Sequence, residues 1–193
     1  MAWAGESRRQ LVHALLVLPV LTLPYLSQIE ATLIAMLAVA MNAFLLPRLK
    51  ATRSLFRPDE KRLGGIVIYP LTIGGVIFLS PESLYPWIPG VSWVTLSIGD
   101  SLATSVGQKI SSPRLPWNPN KSLLGSLAFL CGTGLAVTGL LLYWDFTLMA
   151  ALRWGGLASI VGTLAESLPL PWDDNWTVPI VTALVLGVLG VLA

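Results

Sequence analysis

Two polar stretches stand out in a chain that is otherwise apolar. The first is Gly99-Asp100-Ser101-Leu102-Ala103-Thr104-Ser105-Val106-Gly107, a small-residue segment with one carboxylate inside an apolar run. The second is Leu115-Pro116-Trp117-Asn118-Pro119-Asn120-Lys121-Ser122, which opens the next apolar run. A carboxylate inside a membrane helix is expensive, which makes Asp100 a functional candidate by default. At helical spacing Asp100, Ala103, Thr104 and Gly107 share one face. That face is small and polar, with room for a phosphate or a metal beside the carboxylate. Asn120 or Ser122 would cap the next helix. Its first N–H groups, next to the Lys121 ammonium, would then suit phosphate oxygens.

A second acidic group lies at Glu166, Asp173, Asp174 and Asn175. Mg²⁺ usually takes one or two carboxylates together with substrate phosphates. Asp100, Glu166 and Asp174 are therefore the expected metal set on a bound triphosphate. The competing reading of Asp173-Asp174-Asn175 is a solvated turn. Arg9 and His13 are four residues apart and share a helix face. They either bind phosphate or serve as a positive anchor and a satisfied interior histidine. Asn118, Asn120, Ser122 and Asn175 are expected to orient the nucleotide. The chain has no Gly-x-x-x-x-Gly-Lys-Ser/Thr loop, no Gly-x-Gly-x-x-Gly and no His-Glu-x-x-His.

The elements that must position these residues are membrane helices. Apolar residues make up 54% of the 193 and charged residues 11%, with a mean hydropathy of +0.73. Soluble domains carry about 25% charge. The expected fold is all-α, one integral-membrane domain over 1–193 with about seven transmembrane helices. The spans are Leu11–Ser27, Ile29–Pro47, Leu63–Ser80, Val91–Gly107, Ser122–Trp144, Leu148–Leu168 and Thr177–Ala193. Pro19 and Pro24 should bend the first of them. The net charge of +2 and the lack of a basic stripe argue against nucleic acid as a partner. Cys131 is the lone cysteine, expected to pack as a small hydrophobe, so no disulfide framework exists.

Orientation can be read from the basic residues. With seven spans, the N-terminus and the loops 48–62, 108–121 and 169–176 lie on one side. Eleven of the twelve Lys and Arg fall there, and only Arg153 lies elsewhere. That bias makes the side, and the N-terminus, cytoplasmic. The same topology gathers Asp100, Lys109, Asn118, Asn120, Lys121, Glu166, Asp174 and Asn175 at one membrane face. The expected location is a prokaryotic inner membrane with the site facing the cytoplasm. Oligomeric state is not legible.

At these residues the chain resembles the CTP-dependent lipid kinases: dolichol kinase, phytol kinase and the CTP-using diacylglycerol kinase. That family is distantly similar to the phosphatidate cytidylyltransferases. The matching segments are Arg8-Arg9-Gln10-Leu11-Val12-His13, Lys61-Arg62-Leu63-Gly64-Gly65, Gly99-Asp100-Ser101-Leu102-Ala103 with Gly107, Leu115 to Ser122 with Gly125-Ser126, and Glu166 with Asp174-Asn175. Many members have Gly-Arg where this chain has Gly107-Gln108-Lys109, so Lys109 stands in for the Arg. Phytol kinases often carry a second acid where Thr104 stands. The resemblance implies transfer of a phosphoryl group from CTP to the hydroxyl of a prenol, polyprenol or diacylglycerol. Asp100, Lys121 and Asp174 would be the catalytic residues, Lys109 and Lys121 would neutralise phosphate charge, and Mg²⁺ would be the cofactor. The lipid would enter laterally between helices. Cytidylyl transfer to a lipid phosphate and a non-enzymatic transporter or scaffold are the alternatives.

Overall fold

The computed structural model describes residues 11–48 and 64–192. Within them seven longer helical stretches succeed one another, with a single 3₁₀ turn at Glu82–Leu84 between the third and the fourth. They are α1 (Leu11–Tyr25), α2 (Gln28–Arg48), α3 (Gly65–Leu79), α4 (87–109), α5 (Leu123–Tyr143), α6 (Leu148–Ser167) and α7 (Asp174–Leu192). Four of these, α2, α5, α6 and α7, are long and apolar enough to cross a membrane. Helices α1 and α3 are shorter. Among the described residues the structure is all-α apart from one hairpin, and its long apolar helices fit a membrane protein.

Prolines shape two of the helices. Leu18–Tyr25 in α1 winds as a tight 3₁₀ helix with Pro19 at its start and Pro24 inside it. In α3, Pro70 cannot donate to the Ile66 carbonyl, and that carbonyl accepts instead from Asn42 Nδ2 of α2 at 2.8 Å. Water is scarce at membrane depth, so a neighbouring helix must supply the missing donor. The other end of α3 is treated alike. Gln28 Nε2 donates to the Ile77 and Ser80 carbonyls at 2.6 and 2.7 Å. Gly74 completes this pair of helices, because a Cβ there would lie 2.6 Å from Met36 Cε. Ser27 and Glu30 form a capping box that fixes where α2 starts.

Helix α4 is the central element. It contains a π-helical turn over Thr95–Asp100, then regular helix over Ser101–Lys109. The extra residue of a π turn rotates the C-terminal half of the helix relative to the N-terminal half, and such turns recur at functional sites. A buried chain of bonds secures it. Trp93 Nε1 donates to Tyr69 Oη at 2.6 Å, Tyr69 Oη and Ser97 Oγ lie 2.6 Å apart, and Ser97 Oγ donates to the Trp93 carbonyl at 2.8 Å. Phe129, Leu96, Val91, Leu141 and Val178, all buried, form the core where α4 meets α5, α6 and α7. Helices α4 and α5 touch backbone to backbone: a Cβ on Gly125 would lie 3.0 Å from the Ala103 carbonyl oxygen.

The segment read as a loop over 108–121 is more ordered than that. Gln108 and Lys109 end α4. Arg114–Leu115 (β1) and Asn118–Ser122 (β2) then pair antiparallel around Pro116-Trp117, with Arg114 opposite Ser122. Helix α7 begins at Asp174, three residues before the expected Thr177, so Asp174 and Asn175 form its first turn. Cys131, expected inside, lies on the exposed face of α5.

Candidate active site

One end of the bundle opens into a cavity of about 820 Å³. Five elements contribute: the start of α3 at Gly65, the C-terminal half of α4, the hairpin, the start of α5, and the α6–α7 junction from Glu166 to Asn175. Asp100, Ala103, Thr104 and Gly107 all line it, as one helix face should. The size is within the range of small-molecule sites, but the walls are far more polar than those of a typical apolar pocket.

Lys121 is the centre of the charge arrangement. Its Nζ lies 2.6 Å from Glu166 Oε1 and 2.7 Å from Asp174 Oδ2. Glu166 is buried, and its second oxygen, Oε2, has no hydrogen-bond partner among the described residues. Burial pushes the Lys121 ammonium toward neutrality, but the Asp174 and Glu166 carboxylates outweigh it and hold its pKa above the usual lysine range. The ammonium is thus held at the cavity wall between two carboxylates. Arg114 joins it from β1, with Nη1 near the Asn120 carbonyl at 3.5 Å.

Local chemistry explains how these groups are held. Ser122 Oγ accepts from Gly125 N at 3.2 Å and caps α5. Between the two candidates for that cap, Ser122 is the one used. Asn118 is buried and braces the hairpin: Nδ2 donates to the Ser167 carbonyl at 3.1 Å and Oδ1 accepts from Asn120 N at 3.2 Å. Asp173 Oδ1 accepts from the Asn175 backbone N–H at 2.8 Å and its side-chain Nδ2 at 2.6 Å, which starts α7 as an N-cap does.

Asp100, Asn118, Asn120, Lys121, Ser122, Glu166, Asp174 and Asn175 thus come together. Lys109 does not line the cavity. It ends α4 on an exposed face, and Gln108 occupies the wall instead. His13 packs edge-on against Tyr69, with ring centroids 4.7 Å apart, and is also away from the cavity walls. Arg9 lies outside the described residues. Arg114 and Gln108 also line the cavity, beyond the residues that the motifs single out. The signal that Arg114 carries is its place in the same basic stretch as Lys121.

The metal assignment needs adjustment. Two of the three expected ligands, Glu166 and Asp174, hold the Lys121 ammonium. Among the described residues no group of three or more His, Cys, Asp or Glu side chains is placed to hold a metal ion. The donor set fits a divalent ion carried in on phosphates, with one or two protein carboxylates completing its shell, and not a cage of protein ligands.

Fold and cavity together define a helical protein with a polar cavity at one end, in which Lys121 is paired with Glu166 and Asp174. The relatives it resembles are named as kinases of prenol alcohols. The chain is 34% identical over 119 residues to the probable phytol kinase 1, chloroplastic, of Glycine max, covering 55% of this chain and 39% of that protein. It is 32% identical over 138 residues to phytol kinase 1, chloroplastic, of Arabidopsis thaliana, covering 65% and 43%. It is 29% identical over 147 residues to farnesol kinase, chloroplastic, of the same plant, covering 68% and 45%. The chain spans less than half the length of these curated relatives. The likeness to lipid-alcohol kinases read from the motifs is therefore also a likeness over much of the chain. The chloroplastic names lend no support to a prokaryotic inner membrane. No family model matches the chain, and no solved structure matches it.

Proposed function

We propose that this chain phosphorylates the hydroxyl of a prenol-type membrane alcohol, using CTP as donor. The observation that carries the reading is the Lys121–Glu166–Asp174 cluster in a polar cavity at the end of the bundle, in a relative of proteins named phytol and farnesol kinases. Phosphoryl transfer needs little covalent help from a protein. It needs positioning and charge neutralisation.

In this reading residues 1–193 act as one integral-membrane lipid kinase domain. Lys121 and Arg114 neutralise the phosphates. Asn120 and Asn175 orient them, while Asn118 fixes the hairpin that carries Lys121. A divalent ion, when bound, would be held by Asp100 and Asp174 and would offset charge on the phosphate oxygens. The alcohol oxygen forms a bond to the γ-phosphorus, the bond to the β–γ bridging oxygen breaks, and CDP leaves. The hydroxyl proton passes to a carboxylate of the cavity.

The test is incubation of purified protein with γ-labelled CTP, Mg²⁺ and a panel of prenols. Label is expected in a lipid monophosphate, with CDP as the second product. Release of pyrophosphate would assign cytidylyl transfer instead. Unlabelled CTP should compete for the site better than unlabelled ATP, and equal competition would remove the nucleotide assignment.

The cavity is proposed to face the cytoplasm, with seven crossings and a cytoplasmic N-terminus. The support is the basic bias of the loops. A single cysteine at position 112 in a Cys131→Ala background is expected to stay unlabelled by an impermeant maleimide added outside intact cells. Labelling there would reverse the orientation.

A further inference from the structure

A second cavity, of about 560 Å³, is a groove between α3 and α7, closed below by Leu84 and Ile88. Its walls are almost wholly apolar. The two hydroxyls on them are spent on their own helix: Thr72 Oγ1 donates to the Ile68 carbonyl at 2.9 Å and Ser80 Oγ to the Val76 carbonyl at 2.7 Å. Apart from the Trp176 indole N–H at the end nearest the polar cavity, the walls offer no polar group free to recognise a ligand, which suits a hydrocarbon occupant.

The groove is continuous in chain with the polar cavity. Its lining begins at Trp176, and the preceding residues Asp173, Asp174 and Asn175 line the other cavity. From Trp176 it runs along α7 to Leu192, a distance of about 24 Å along the helix. That is the length scale of a long single prenyl chain. A ligand with its hydroxyl near Asp174 could lay its tail along α7 without leaving the bilayer.

Two glycines keep the groove open, and neither is a packing glycine. A Cβ on Gly75 would meet nothing within 4 Å, and one on Gly187 would make ordinary contact with Leu84 at 3.7 Å. Gly74 and Gly190 differ: a Cβ there would press on Met36 at 2.6 Å and on Trp87 at 2.8 Å. The side chains missing at Gly75 and Gly187 leave space that no other part of the described chain fills.

We propose that the groove between α3 and α7 holds the prenyl tail of the acceptor alcohol, an inference that rests on the kinase reading above. It makes the groove the determinant of chain length. Gly75→Leu and Gly187→Leu would narrow it, and at neither position does the added Cβ press on a neighbouring helix.

The experiment has a binding arm and a turnover arm. A prenyl alcohol bearing a terminal diazirine is photolysed with the full chain in detergent–phospholipid micelles. Label is expected on peptides from 71–88 and 176–192, displaced by unlabelled phytol and reduced in both leucine variants. In turnover, Gly75→Leu should raise the KM ratio of phytol to a five-carbon prenol by about tenfold or more, as a lost fit of a few methylenes would. Label elsewhere, displacement equally by phospholipid, or cross-links joining two copies through the groove would each overturn the assignment. A chain inert toward every prenol and nucleotide, yet labelled in the groove, would overturn the kinase reading and leave the groove standing. Turnover with label outside it would do the reverse.

Discussion

Asp100→Asn is expected to lower turnover at saturating CTP and Mg²⁺ by at least about a hundredfold, the scale of losing one strong transition-state stabiliser. Asn keeps the size of Asp and one acceptor oxygen, removes its charge and turns the other oxygen into an NH₂ donor. Asp100 is the last residue of the π turn in α4, half-buried, on the wall of the polar cavity. The turn itself is secured elsewhere, by Tyr69, Trp93 and Ser97. The variant should therefore elute from gel filtration in detergent as the parent does. A packing carboxylate would behave otherwise: near-normal turnover in Asp100→Asn would show that the stretch is structural and that the site assignment is wrong.

The face carrying Asp100 was readable because helical spacing is regular, and Asp100, Ala103, Thr104 and Gly107 indeed line one wall. The cap at Ser122 was readable for the same kind of reason, since a hydroxyl before an apolar run has a local job. The order of the helices could be read from apolar runs alone. The features that were not readable depend on distant partners. The π turn over Thr95–Asp100 adds one residue to a turn, which hydrophobic periodicity does not register. The hairpin over 114–122 contains Pro119 and two asparagines, residues that favour loops. It is held by Asn118 reaching Ser167, 49 residues away in sequence.

The carboxylates illustrate the same limit. Glu166 and Asp174 are expected as metal ligands because Mg²⁺ takes one or two carboxylates together with substrate phosphates. Composition cannot say whether the partner is an ion or an ammonium. The fold brings Lys121 to both across a separation of 53 residues to Asp174. Lys109, with the same charge and in the same basic loop, is carried away from the cavity because α4 continues through it.

Lys121→Met is the second substitution with a large expected effect, and here stability and activity must be separated. Removing one partner of a fully buried ion pair costs roughly 3–5 kcal/mol, because the other charge is left buried and alone. Lys121 and Asp174 retain some exposure, 23% and 32%, while Glu166 has 3%. Water can screen the first two, so the expected loss is smaller, on the order of 2 kcal/mol, and it comes from Glu166. Activity should fall further than instability explains, since the only cation seen between Glu166 and Asp174 among the described residues is gone. The double variant Lys121→Met with Glu166→Gln separates the causes. Glutamine carries no charge to strand, so thermal unfolding in detergent should return most of the way to that of the parent. Turnover should stay at least about a hundredfold down, because the phosphates still lack their ammonium. If the double variant regains turnover along with stability, Lys121 is a structural counter-ion for Glu166, and the phosphate-neutralising role passes to Arg114.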